Sequence, residues 1–252
     1  MLKSVIGFRR FGMLVAMLSI FGIAGSVGAQ EAEGLAAANV RVDNIASVQR
    51  GARIYFNYCS GCHSIKYMSY SRLSEDLKLS PDDVLASFAF TGAKIGDQIV
   101  SNMPEANSAL WFGKTPPDLS LEARAKGPDW IYNYLKSFYL DPTRPTGWNN
   151  TVFPNVSMPN VLWELQGQQR AVMSSAKAGE DAKVEKLELA TPGKESAQAY
   201  DDTARDVTAF LTYVGEPAAL VRESTGLWVV LYLAFFTFLA WLLKHEFWKD
   251  VH

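Results

Sequence analysis

Cys59-Ser60-Gly61-Cys62-His63 is the stretch whose reading decides this chain. Two thiols three positions apart, with an imidazole directly after the second, have the spacing of covalent haem attachment in c-type cytochromes. Each thiol can add across one vinyl group of a haem, and the histidine then lies beneath the ring within reach of the iron. A structural zinc site would need four nitrogen or sulfur ligands. The chain has two cysteines and three histidines, and His245 and His252 fall in its last eight residues, beyond an apolar run. A thioredoxin-like redox pair would need only the two cysteines, but the βαβ pattern that carries such a pair is missing around them. The motif therefore predicts one covalently attached haem c, bonded to Cys59 and Cys62 and ligated by His63.

Outward from the motif, the composition suits one globular domain with apolar additions. The chain has 252 residues, 48% of them hydrophobic and 20% charged, and a net charge of −2. That balance fits neither a disordered nor a fibrous protein, and it offers no basic field for nucleic acid. Residues 1–29 read as a secretory signal: Lys3, Arg9 and Arg10, an apolar core from Phe11 to about Ala24, and small residues at Val27-Gly28-Ala29. An uncleaved N-terminal anchor is the alternative. Export suits the motif, because bacterial c-type haem is attached outside the cytoplasm. Residues 30–221 are thus expected to form a periplasmic haem domain, carrying 18 Lys+Arg against 23 Asp+Glu, a charge of −5.

Leu227 to Leu243 is an uncharged run of 17 residues. With Gly226 it would span about 27 Å as a helix, close to the hydrocarbon core of a bilayer. Trp228 lies at one edge, with Trp241 and Trp248 at or beyond the other. The expected division is a transmembrane helix over 222–244 and a short cytoplasmic tail over 245–252.

Within the domain, Asn44 or Ser47 can cap a helix running through Val48, Gly51, Ala52 and Phe56 into the motif. Glycine is costly inside a helix, so Gly51 invites close approach by another helix. Ser80-Pro81-Asp82-Asp83 reads as a second helix start. Glu75, Asp76, Asp82 and Asp83 form either caps and a solvated face or a docking patch. Dense prolines predict loop over 101–120. Asp129 is a candidate cap for a helix over 130–139, and 141–159 reads as a long loop. Residues 166–199 are uninformative apart from a short strand near Leu187–Leu189. A final amphipathic helix is expected to start at Asp201 or Asp202 and to end at Gly215 and Pro217.

A haem with one protein ligand reacts with small molecules, whereas one with two strong ligands transfers electrons. No second histidine exists in the domain, so methionine is the natural second ligand, and Met68, Met103, Met158 and Met173 are available. Met68 is too near His63, and Met173 sits in a weakly patterned segment. Met103 and Met158 each precede a proline, and the long loop around Met158 favours it, with Met103 as the rival.

The chain resembles the cytochrome c1 family, the haem subunit of the quinol–cytochrome c reductase (cytochrome bc1) complex, in its proteobacterial form. The resemblance rests on Gln49-Arg50-Gly51-Ala52, Asn57-Tyr58 leading into Cys59–His63, Pro116–Ser120, Arg124 and Met158-Pro159. It continues through Tyr213-Val214-Gly215-Glu216-Pro217 and Trp248–His252, in order from about Asn39 to the end. It implies a mainly α fold: a class I cytochrome c-like haem domain with long loops, plus one C-terminal transmembrane helix, its terminal helices crossing near Gly51. It implies His63 and Met158 as axial iron ligands, Arg124 beside a haem propionate, and Pro117 and Trp130 lining the pocket. The stretch Glu105–Gly113 is longer than the family pattern. Function would be one-electron transfer from a Rieske iron–sulfur protein to a soluble cytochrome c, beside a cytochrome b in the bacterial inner membrane. The chain would be an enzyme only as part of that oxidoreductase complex. A membrane-tethered shuttle to a terminal oxidase, or an open-site haem sensor or peroxidase, are the alternatives.

Overall fold

In the computed structural model, which describes residues 34–174 and 183–250, two helices from opposite ends of the haem-motif domain cross at Gly51. The first, Ile45–Ile54 (α1), is capped by Asn44, whose side chain accepts the Ser47 amide. A Cβ at Gly51 would collide with the Asp206 carbonyl and stand 2.8 Å from Phe210 Cβ, so the glycine is required by the crossing. Asp206 then fastens it: it accepts from Ser47 Oγ at 2.6 Å and from Arg50 Nε and Nη2 at 2.6 and 2.8 Å. Val48, Ala52, Tyr55, Phe56 and Phe210 fill the seam with almost no exposure. Truncating a ring such as Phe210 there would cost about 3–5 kcal/mol.

After the motif come strand Ile65–Ser69 (β1) and helices Tyr70–Leu77 (α2) and Pro81–Phe88 (α3), then strand Gln98–Ile99 (β2), which pairs antiparallel with β1. Ser80 caps α3 as expected, accepting the Asp83 amide at 3.1 Å and donating to the Asp83 carboxylate at 2.6 Å. The predicted loop over 101–120 is corrected in part, because Glu105–Phe112 forms a helix (α4). The prolines do not prevent it: Pro104 stands at its N-cap, Gly113 ends it at φ +77°, and Pro116 lies beyond. The long Glu105–Gly113 stretch is therefore just over two helical turns before the double proline.

Next follow Glu122–Lys126 (α5) and Pro128–Lys136 (α6). Asp129 does not cap α6: Gly127 takes that position, and the Asp129 carboxylate accepts the amide of Ala38 at 2.6 Å, tying down the N-terminal arm. The helix also stops earlier than predicted, because Phe138–Leu140 (β3) leaves it to join a sheet. That sheet is an addition to the expected helical fold. Its order is β4-β3-β5-β6, with Trp148–Asn150 (β4), Gly167–Met173 (β5) and Val184–Pro192 (β6). The one-turn helix Trp163–Gln166 (α7) precedes β5. The predicted short strand is thus a nine-residue strand in a long antiparallel hairpin.

The closing helix of the domain, Ala197–Gly215 (α8), begins at Ser196 rather than at Asp201 or Asp202. The Ser196 hydroxyl accepts the Ala199 amide and so starts the helix one turn earlier. Its buried face meets α1, α5 and α6. Ala219–Phe247 (α9) follows, and its Thr225–Phe247 portion is long and apolar enough to cross a membrane, with no part buried against the protein. The predicted signal at 1–29 lies outside the described residues.

Candidate functional site

The haem motif is built at the end of α1 by a change of pitch. Tyr55–Cys59 is a π-helical turn, a form that tends to occur at functional positions. Tyr55, fully buried, donates its hydroxyl to the His63 carbonyl at 2.6 Å. The amides of Cys62 and His63 both bond to the Cys59 carbonyl, at 3.1 and 2.9 Å, curling the motif into one tight loop. Distant segments fix it further. Ser101 donates to the Gly61 carbonyl, and the Leu119 amide to the Ser64 carbonyl, both at 2.8 Å.

A cavity of about 410 Å³ opens on this loop, within the size range of cofactor pockets. Cys59, Cys62 and His63 form one part of its wall, the Pro116-Pro117 segment another, and Trp130, Tyr134 and Met158 a third. Val207 and Leu211 of α8 and Phe112 at the end of α4 also line it. Most of these side chains are apolar, which suits a porphyrin face and keeps water from a metal within.

His63 is 8% exposed, and its Nδ1 lies 2.8 Å from the Pro117 carbonyl oxygen. A carbonyl can only accept, so Nδ1 carries the proton and Nε2 keeps the free lone pair. Burial lowers the proton affinity of the imidazole, opposed by the Pro117 contact and by the charges of Glu122 and Asp118, and the net shift is downward. A neutral ring of defined tautomer is what iron ligation needs. The Cys59 thiol is pushed up to about 12, chiefly by burial. A thiol so reluctant to ionise is a poor redox nucleophile, which argues against the thioredoxin-like alternative.

Of Met68, Met103, Met158 and Met173, Met158 alone lines the cavity. Met68 is buried in the core against the Tyr213 hydroxyl, and Met173 is half exposed on β5. The Met158 Sδ accepts a hydrogen bond from Tyr134 Oη at 3.3 Å. Tyr134 in turn lies flat on Trp130, with ring centroids 4.9 Å apart and planes 9° apart.

Pro117 and Trp130 are in the wall, but Arg124 is not. Its guanidinium is largely exposed and faces Glu216 at 3.9 Å. Lys126, two residues later and about 200° around the helix axis, is in the wall, as is Lys114. Lys126 Nζ also sits 5.6 Å from the centre of the Trp130 ring. Lys126 and Tyr134 went unread in the sequence, although Tyr134 lies four positions beyond Trp130 on α6, the spacing that puts side chains on one helix face.

Two thiols, a neutral imidazole and a thioether converge on one apolar cavity, and that donor set fits a covalent haem. The model of the Cytochrome C1 family matches residues 39–251. Over 87% of this chain and 91% of the relative, the sequence is 49% identical to cytochrome c1 of Allochromatium vinosum. It is 39% identical to the ammonia monooxygenase gamma subunit of Nitrosomonas europaea, over 82% of this chain and 84% of that one. A cytochrome b/c1 of Bradyrhizobium diazoefficiens is 24% identical over 82% of this chain and 33% of its own length.

Proposed function

The chain belongs to the cytochrome c1 family, the membrane-anchored, haem-binding electron-transfer subunit of the cytochrome bc1 complex, and from that premise we propose its particular role. It holds one covalent haem c and passes single electrons from a Rieske iron–sulfur protein to a soluble cytochrome c. It does so in a bacterial inner membrane, beside a cytochrome b, with the haem domain in the periplasm and the C-terminus in the cytoplasm. The observation that carries this reading is the convergence of Cys59, Cys62, His63 and Met158 on one apolar cavity. The cytochrome b partnership is supported by a relative whose own name joins b and c1.

When bound, the haem supplies a one-electron couple at its iron. The protein's tasks are then to hold, orient and tune. Cys59 and Cys62 tether the ring, and the Pro117 carbonyl keeps His63 in the tautomer that offers Nε2. Met158 would offer the iron its thioether sulfur from another part of the wall. Thioether ligation and apolar burial both favour the reduced state and raise the potential. We assign the propionates to Lys126 and Lys114 in place of Arg124, since those are the cations in the wall.

Met158→Leu in the haem-loaded full chain is the direct test. The methionine–iron charge-transfer band should vanish and the midpoint potential should drop sharply; an unchanged spectrum would move the ligand to Met103. Purified from its membrane, the chain should bring a cytochrome b and a Rieske protein with it. Isolation as a lone cytochrome would instead favour a tethered shuttle.

A further inference from the structure

One contact in the cavity wall is not needed for haem attachment or for closing the pocket. Tyr134 donates its hydroxyl to Met158 Sδ at 3.3 Å. The ring that carries this hydroxyl has little freedom. It is stacked on Trp130 and packs edge-on against Phe138, with centroids 5.0 Å apart and planes 69° apart. Its own carbonyl accepts from Asn150 Nδ2 at 2.8 Å, which joins this turn of α6 to β4. A buried tyrosine hydroxyl seeks a partner. The partner it finds is a thioether, a weak acceptor that rarely decides where a tyrosine points.

We propose that Tyr134 is a positioning residue for the iron-binding thioether, and that its hydrogen bond tunes the redox couple by making Met158 a weaker donor. The proposal rests on Met158 being the axial ligand. A thioether sulfur has two lone pairs, one of which is engaged by the Tyr134 hydroxyl, leaving the other for a metal. Density drawn toward the phenol proton weakens the sulfur as a donor. A weaker donor costs the ferric state more than the ferrous state, so the hydrogen bond raises the potential.

Tyr134→Phe removes the hydroxyl and keeps the ring that stacks on Trp130. In the haem-loaded full chain its potential should fall while the charge-transfer band persists at a shifted position. Its ferric iron should hold Met158 more tightly, so the dissociation constant for added imidazole should rise by about fivefold, the scale of one net hydrogen bond. Tyr134→Leu, which removes ring and hydroxyl together, should instead admit imidazole more readily. A residue that merely packs would leave potential and band unmoved in the phenylalanine variant, and that result would overturn the proposal. In the unaltered ferric protein, transfer to D2O should shift the hyperfine-shifted Met158 methyl resonance, and no shift would count equally against it. The two failures are separable. If Met158→Leu keeps the charge-transfer band, the ligand assignment is wrong. If it loses the band while Tyr134→Phe changes nothing, only the role of Tyr134 is wrong.

Discussion

Adding one methyl group at Gly51 would test the helix crossing at its tightest point. Alanine is the better helix former by about 1 kcal/mol, so an exposed site would gain stability. Here the new carbon meets the backbone of Asp206, which no rotamer change can relieve. Overpacking of about 3 kcal/mol outweighs the propensity gain. Gly51→Ala should therefore lose about 2 kcal/mol net, read as a fall of about 5 °C in the thermal midpoint followed at the haem absorbance. Gly51 was legible in the sequence because a glycine inside a helical pattern asks for a reason. The motif residues were legible because their spacing is their chemistry. Tyr134 was not, since a tyrosine on a core-facing stripe looks the same whether it packs or holds a sulfur. Arg124 is exposed beside Glu216, and two residues on, about 200° around the helix, Lys126 lies in the wall.

Where α6 meets α8, charge joins the elements. Lys136 and Tyr132 both donate to the Asp201 carboxylate, and Arg205 pairs with it at 2.8 Å. Burial raises the Asp201 pKa, but the Lys136 and Tyr132 donors and the Arg205 charge more than cancel that, leaving it below the usual carboxylate range. A depressed carboxylate stabilises the fold fully above the unfolded value of about 3.9, and this is lost as pH falls through the folded value. Lys136→Met should therefore lose about 1 kcal/mol near pH 7. The gap to the unaltered chain should narrow as pH falls below about 4, as measured by denaturant titration at each pH. At this scale, the caps at Asn44 and Ser80 were readable, those at Gly127 and Ser196 were not, and the β5–β6 hairpin showed only as a short strand near Leu187–Leu189. Most β6 residues are exposed, and hydrophobic alternation is confined to Leu187-Glu188-Leu189, so only that part of the strand is marked. The helix α4 was hidden by counting prolines without noticing that all of them fall outside it.

On the scale of the whole chain, the apolar helix α9 should keep the protein in the membrane pellet after alkaline carbonate washing, and truncation before Arg222 should release it. The acidic balance of residues 30–221 should steer a basic soluble cytochrome c. Its second-order reduction rate should fall steeply as salt shortens the Debye length below about 8 Å, and a salt-independent rate would remove electrostatic steering. The apolar C-terminal helix was legible because it announces itself in composition. The wall of the cavity was less so, because it is assembled from stretches 50 to 150 positions apart. One junction has a further consequence. Gly215 ends α8 and Ala219 begins α9, leaving Glu216, Pro217 and Ala218 between them, with Glu216 paired to Arg222 and facing Arg124. Three residues reach at most about 10 Å. On so short a leash the redox centre cannot ferry its charge by diffusion, so any distance beyond tunnelling range must be travelled by whoever calls at it.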